Sequence, residues 1–201
     1  MKQAVCRKSQ MMKNENVDQQ HEAVQRIKDK FPKAVINDTQ LSEKGQKYPK
    51  IIFAGLSNLV ALKGELLIEN YAYLEAYLKA NSPHIKEKSH RPKICDCIVF
   101  KFNDDVIIGV IELKGRNIDI DKIEGQLGNG KILALKIIND IKSKPPANDN
   151  IIVLISSFGY SRIKVSGNRR NKEKPELKVN GCTVLFRGPR VDFSEEIRKR
   201  R

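Results

Sequence analysis

Two extended apolar runs, residues 94–102 and 106–114, flank the turn cluster Asn103-Asp104-Asp105, and this pairing constrains the chain more than any other feature. Both runs are rich in Ile, Val and Phe, which suit a pleated, half-buried surface, so together they predict a β-hairpin. Charges interrupt the apolar ground, among them Asp96 between Cys95 and Cys97, and Glu112 and Lys114 at the end of the second run. Alternate side chains of a strand share a face, so Glu112 and Lys114 point the same way. With a three-residue loop, Phe102 pairs with Val106, and counting outward sets Asp96 opposite Glu112. A two-residue loop would put the two carboxylates on opposite faces instead. Directly opposed Cβ atoms lie roughly 4.5–5.5 Å apart, a separation at which bare carboxylates repel. A hard divalent cation between them reverses that sign, and Mg²⁺ prefers oxygen ligands while keeping several waters.

Around the hairpin the pattern is mixed. Leu56, Leu59, Val60, Leu67, Tyr71, Leu74 and Leu78 recur at three- and four-residue steps and predict one helix over 57–80, closed by Asn81-Ser82-Pro83. A basic loop over 83–93 follows, with Lys86, Lys88, Arg91 and Lys93. A second helix is predicted over 120–142, although Gly125, Gly128 and Gly130 weaken its first half. The short apolar run 151–156 has the length and composition of a buried strand. Residues 160–165 and 182–186 are expected to form a further strand pair, separated by a polar, very basic stretch. Residues 1–48 are polar and read as an N-terminal extension with room for one amphipathic helix over 17–31; 49–193 form the main domain and 194–201 a basic tail. Helix, strand, strand, helix, strand, strand is the order of an α/β fold of mixed α+β type, a central mixed sheet flanked by helices.

Charge narrows the partner. The 201 residues carry a net charge of +14, and cations spread over so short a chain suit a phosphate backbone, whose contact releases counterions. Arg162, Lys164, Arg169, Arg170 and Lys172 are candidates for an arm gripping that backbone. Aromatic residues are few and are not interleaved with these charges, so stacking on single-stranded bases is not indicated.

Other classes recede. No apolar run approaches the roughly 20 residues of a membrane helix, and residues 1–20 lack the apolar centre of a secretory signal, so a cytoplasmic protein is expected. Four cysteines and three scattered histidines offer no zinc-ligand spacing. Cys95 and Cys97, two apart, are expected to share a strand face as buried thiols, and His84 and His90 to lie at the surface. Gly125 to Lys131 satisfies the G-x-x-x-x-G-K half of a P-loop, but Ile132 stands where Mg²⁺ binding needs Ser or Thr. Ser156-Ser157 lacks the glycine-flanked elbow of a hydrolase serine.

Asp96, fifteen intervening residues and then Glu112-Leu113-Lys114 resemble the signature of the PD-(D/E)XK nuclease superfamily. Gln126-Leu127, early in the following helix, is similar to the glutamine that several of its subfamilies carry. The likeness spans about residues 65–156, with Cys95 standing where the signature has proline. It implies a restriction-endonuclease-like core of helix, three-strand meander, helix and strand. It further implies that Asp96, Glu112 and the Leu113 backbone carbonyl hold Mg²⁺, with Mn²⁺ able to substitute. Lys114 would position or help deprotonate the attacking water, Gln126 would support the site or the phosphate, and Glu65 or Glu69 would add a ligand. The implied activity is a metal-dependent endonuclease hydrolysing nucleic acid, DNA rather than RNA, in defence, repair or a mobile element, as a homodimer or within a larger complex. The alternatives are a non-catalytic nucleic-acid-binding protein on the same fold, or a basic interaction protein without it.

Overall fold

A computed structural model describes residues 17–42, 49–53, 56–85, 90–115, 118–157, 163–164 and 177–199. The hairpin has the register its three-residue loop dictates, Phe102 opposite Val106 and the ladder running to Cys97 opposite Ile111. In chain order the first elements are α1 (residues 17–30), β1 (Gln40–Ser42), β2 (Lys50–Ile52), β3 (Leu59–Lys63), α2 (Gly64–Asn70) and α3 (Ala72–Asn81). The centre comprises β4 (Cys97–Phe102), β5 (Val106–Lys114), β6 (Ile118–Asp119), α4 (Ile120–Asp140) and β7 (Ile151–Ser157). β8 (Ile163–Lys164), β9 (Lys178–Val179), β10 (Cys182–Arg187), β11 (Arg190–Asp192) and α5 (Phe193–Arg198) complete the described chain.

The fold is mixed α/β. Its main sheet has six strands in the order β3-β4-β5-β7-β10-β9. β3, β4 and β5 are antiparallel neighbours, with α2 and α3 connecting β3 to β4. β7 then runs parallel to β5, and β10 parallel to β7. Parallel neighbours need a long crossover connection, and α4 supplies it between β5 and β7. A parallel strand covered on both faces reads as a continuous apolar run, which is why every residue of β7 is buried.

Strand parity sorts the core into two layers. Ile98, Phe100, Ile108, Val110, Val153 and Ile155 face the helices α1 to α4. Val99, Ile111, Leu113, Ile152 and Leu154 face the opposite way, toward Ile51, Val191, Phe193 and Ile197. These last four belong to the small sheet β1-β2-β11 and to α5. The Phe193 ring lies on the backbone of central strand β5: a Cβ on Gly109 would stand 2.5 Å from its Cζ and 2.8 Å from its Cε2. Phe193→Ala should therefore cost about 3–5 kcal/mol, lowering the melting temperature by roughly 10 °C in circular dichroism. A shift under about 2 °C would contradict the docking of α5.

Several sequence expectations need correction. The single helix over 57–80 is instead strand β3 followed by α2 and α3, broken at Tyr71, whose φ of −130° and ψ of 80° are not helical. Leu59 and Val60 fit the helical spacing, but Val60, Ala61 and Leu62 are buried and hydrogen-bonded to β4. A short apolar run at a strand–helix junction mimics helical periodicity. Of residues 160–165 the structure describes Ile163 and Lys164, which form β8 and pair with β6 rather than with 182–186, while β10 lies between β7 and β9. The apolar β7 has its β5 edge filled and takes β10 as its second neighbour, which buries it on both edges.

The N-terminal extension is not an appendage from residue 17 onward. Ile27 and Phe31 are fully buried in the helical layer, and Phe31 meets Tyr71 edge-on at 5.1 Å. Residues 193–198 likewise belong to the fold rather than to a solvated tail. Glu196 of α5 is buried and held by Arg187 through two bonds of 2.9 and 2.8 Å, with Lys199 adding a third at 3.0 Å. The Arg187 side-chain bonds keep the Glu196 carboxyl below its ordinary range. No described helix is long and apolar enough to cross a membrane.

Candidate active site

The alternation that turns Ile108 and Val110 toward the helices carries Glu112 and Lys114 to the same face. Glu112 is fully buried, and its Oε1 pairs with the ammonium of Lys114. The ladder between β4 and β5 stops at Cys97, where the chain bends, and side chains replace the missing rungs. The Asp96 backbone N–H donates to Glu112 Oε2 at 3.1 Å, and the Leu113 backbone N–H donates to Asp96 Oδ2 at 2.7 Å. Each carboxylate is thus tied to the main chain beside the other, close to the juxtaposition counted from the loop length. Burial, and then the neighbouring Asp96, push the Glu112 carboxyl up to about 8, against the opposing pull of Lys114.

Main-chain tethers set where Asp96 stands. On one side the Gly64 N–H donates to the Asp96 carbonyl at 3.0 Å. Only a residue without a side chain fits there, because the Cys95 carbonyl fills the space of a Cβ. On the other side Cys95 N–H donates to the Gln126 carbonyl at 3.1 Å, Gln126 Nε2 to the Ile94 carbonyl at 3.4 Å, and Asn129 Nδ2 to the Lys93 carbonyl at 2.7 Å. Gly130 brings α4 close enough for these bonds: a Cβ there would strike Cys95 Sγ and lie 2.7 Å from Val110 Cγ1. Gln126 therefore supports the site by fixing the strand that delivers Asp96. Asn129, one turn further along the same helix face, does the same and was missed; its i+3 spacing from Gln126 is the signal that points to it.

Beside the carboxylates opens a cleft of about 290 Å³ lined by Lys93, Lys114, Asp119, Lys122, Ile123 and Gln126. Asp119 caps α4 and pairs with Lys122 Nζ at 3.1 Å. Three lysines against that one carboxylate make a mouth suited to phosphate. Lys93 belongs to the basic loop read from sequence, whereas Lys122 was not singled out, being one lysine among many. Lys164 is the backbone partner of Asp119 in the β6–β8 ladder. Arg162, Arg169, Arg170 and Lys172 lie outside the described residues.

Glu65 and Glu69 do not join the carboxylate pair. Both are exposed on α2, and Glu69 pairs with Arg91 at 3.7 Å. Among the described residues no group of three or more His, Cys, Asp or Glu is placed to hold a metal. The oxygens brought side by side are those of the Asp96 and Glu112 carboxylates, both hard ligands. Glu112 Oε1 is buried and faces the Lys114 ammonium, so a metal cation ligating it would take that ammonium's place. This set fits Mg²⁺ with its remaining positions filled by water.

The other sequence expectations resolve around the site. Cys95 and Cys97 are free and buried as expected, but they face opposite layers because the chain bends at Asp96 between them. Burial first, and then neighbouring carboxylates, raise both thiols. Gly125 to Lys131 is helix rather than a phosphate-wrapping loop, and Lys131 Nζ donates to the Asn180 carbonyl at 2.6 Å. Ser156 Oγ donates to the Gly188 carbonyl at 2.9 Å. His90 is exposed, whereas His84 is half-buried against Gly128 of α4, whose missing side chain admits the imidazole. Comparison with known protein families, with curated proteins and with solved structures finds no match to this chain.

Proposed function

We propose that this chain is a Mg²⁺-dependent nuclease with a restriction-endonuclease-like core, hydrolysing phosphodiester bonds of DNA. The observation that carries the reading is the reciprocal locking of Asp96 and Glu112 by each other's main chain, with Lys114 on the same face. Part of the element order supports it: the helices α2 and α3, the antiparallel pair β4–β5, then α4 and the parallel strand β7, with β3 antiparallel to β4 on its other side. The cationic cleft beside Lys114 and the net charge of +14 supply the attraction for a polyanion.

In this reading Asp96 and Glu112, with the Leu113 carbonyl, would hold the cation. Mg²⁺ there lowers the pKa of bound water and neutralises charge building on the phosphate. Lys114 orients the attacking water and shares the developing negative charge. Lys93 and Lys122 receive the phosphate, and Gln126 and Asn129 keep Asp96 in place. Mn²⁺ is expected to replace Mg²⁺, and cutting both strands would call for a homodimer or a partner.

A second reading has its own observation. The Glu112–Lys114 ion pair balances a buried carboxylate without any cation, which is what a non-catalytic nucleic-acid binder on this fold would keep. Supercoiled plasmid separates the two. With Mg²⁺ the protein should convert it to the open circle, and EDTA should stop conversion while a gel shift persists. Intact plasmid in both Mg²⁺ and Mn²⁺ would favour the binder, and cutting that survives EDTA would refute the metal site.

A further inference from the structure

We infer that Ser157 is a positioning residue, the acceptor that takes the Lys114 ammonium when Glu112 ligates a cation; this rests on the nuclease reading above. Ser157 ends β7, is almost wholly buried, and its Oγ has no hydrogen-bond partner among the described residues. Buried hydroxyls are nearly always bonded, because leaving one unpaired costs about 1–3 kcal/mol. An orphan at this position therefore asks for a partner that arrives in another state of the site.

The sheet register says which partner. Ser157 is the Cα partner of Lys114 across the parallel β5–β7 ladder. Paired residues of neighbouring strands share a face. Val110 and Val153, a pair two rungs below Glu112 and Ile155, both lie in the helical layer, as does Ile155 itself. Ser157 therefore stands on the side of Glu112 and Lys114, one strand spacing of about 4.8 Å from the lysine. Across from it, Lys114 pairs with Glu112 Oε1.

The ion pair and the unpaired hydroxyl imply an exchange. Glu112 Oε2 is engaged by the Asp96 N–H, so Oε1 is the oxygen open to a cation. Lys114 must leave Oε1 for that ligation, since two cations on one oxygen repel. An ammonium leaving a buried carboxylate needs a new acceptor, and the Ser157 hydroxyl is in register to provide it. No bond is made or broken beyond these hydrogen bonds. Held on Ser157, Lys114 points its remaining protons toward the cleft, where the water and phosphate are placed.

The test uses metal binding and folding as well as cutting. In Ser157→Ala the metal-free protein should melt no lower than wild type, because an unpaired hydroxyl is removed. Its Mn²⁺ affinity, by calorimetric titration, should weaken roughly tenfold, the scale of one hydrogen bond to a charged group. Plasmid nicking at saturating DNA should slow with it. In Lys114→Ala, which no longer needs the acceptor, adding Ser157→Ala should change Mn²⁺ affinity less than about twofold.

A Ser157→Ala protein that binds Mn²⁺ and nicks like wild type overturns the assignment and leaves the nuclease reading standing. A lower melting temperature with unchanged Mn²⁺ affinity, or equal weakening in the Lys114→Ala background, also overturns it. Wild-type protein that binds no Mn²⁺ removes the nuclease reading and this inference together.

Discussion

Lys114→Ala should reduce Mg²⁺-dependent plasmid nicking by about 10²–10⁴-fold, the usual contribution of a positioned proton-transfer group, while leaving DNA binding within severalfold of wild type. The lysine side chain is 27 % exposed at the end of β5, so its removal opens no core cavity. It is one of 38 Lys and Arg residues, so the polyelectrolyte part of DNA affinity changes little. What is lost is local, the ammonium that pairs with Glu112. Gel shift in Ca²⁺ and nicking in Mg²⁺, at matched ionic strength, read the two quantities separately. Nicking within tenfold of wild type would remove Lys114 from the reaction, and a parallel loss of binding would make it a phosphate contact.

Glu112→Gln should do two opposite things. It should abolish the Mg²⁺ response and stabilise the metal-free protein at alkaline pH. The Glu112 carboxyl rises from 4.5 to about 8 on folding, so between those values the native state holds a proton that the unfolded chain has released. Stability therefore falls as pH rises through that window and levels off above it. The variant has nothing to titrate there. At pH 8 in EDTA it should exceed wild type by a few kcal/mol, on the order of 5–10 °C in melting temperature, with the gap closing by pH 5. Mg²⁺ should raise the melting temperature of wild type through binding to the native state and leave the variant unmoved. Parallel melting curves at the two pH values would mean that the carboxyl is ionised without metal.

The hairpin and its polar trio were legible because loop length and strand parity are local rules. Three loop residues place Asp96 beside Glu112 whatever the rest of the chain does. β3 was not legible, since Leu59 and Val60 satisfy helical spacing as well as a buried strand does. Only pairing with β4, a contact some forty residues distant, decides between them. The seat of β10 is of the same kind, set by the open edge of β7 rather than by its own pattern. Within the site, Asn129 and Lys122 became visible only once α4 was laid against residues 93–96. Ser157 needed the β5–β7 register, which no stretch of sequence contains.

The bond from Cys95 N–H to the Gln126 carbonyl bears on the departure at this position. Proline has no N–H and its ring restrains only its own backbone, so a proline at 95 would stiffen the approach to Asp96 yet cut its link to α4. With cysteine there, the rigidity of the approach comes from a neighbouring helix instead of from a ring. Placement of the acidic group is thereby inherited from α4, and any shift of that helix along its axis reaches the carboxylates through one main-chain bond and the side-chain amides of Gln126 and Asn129.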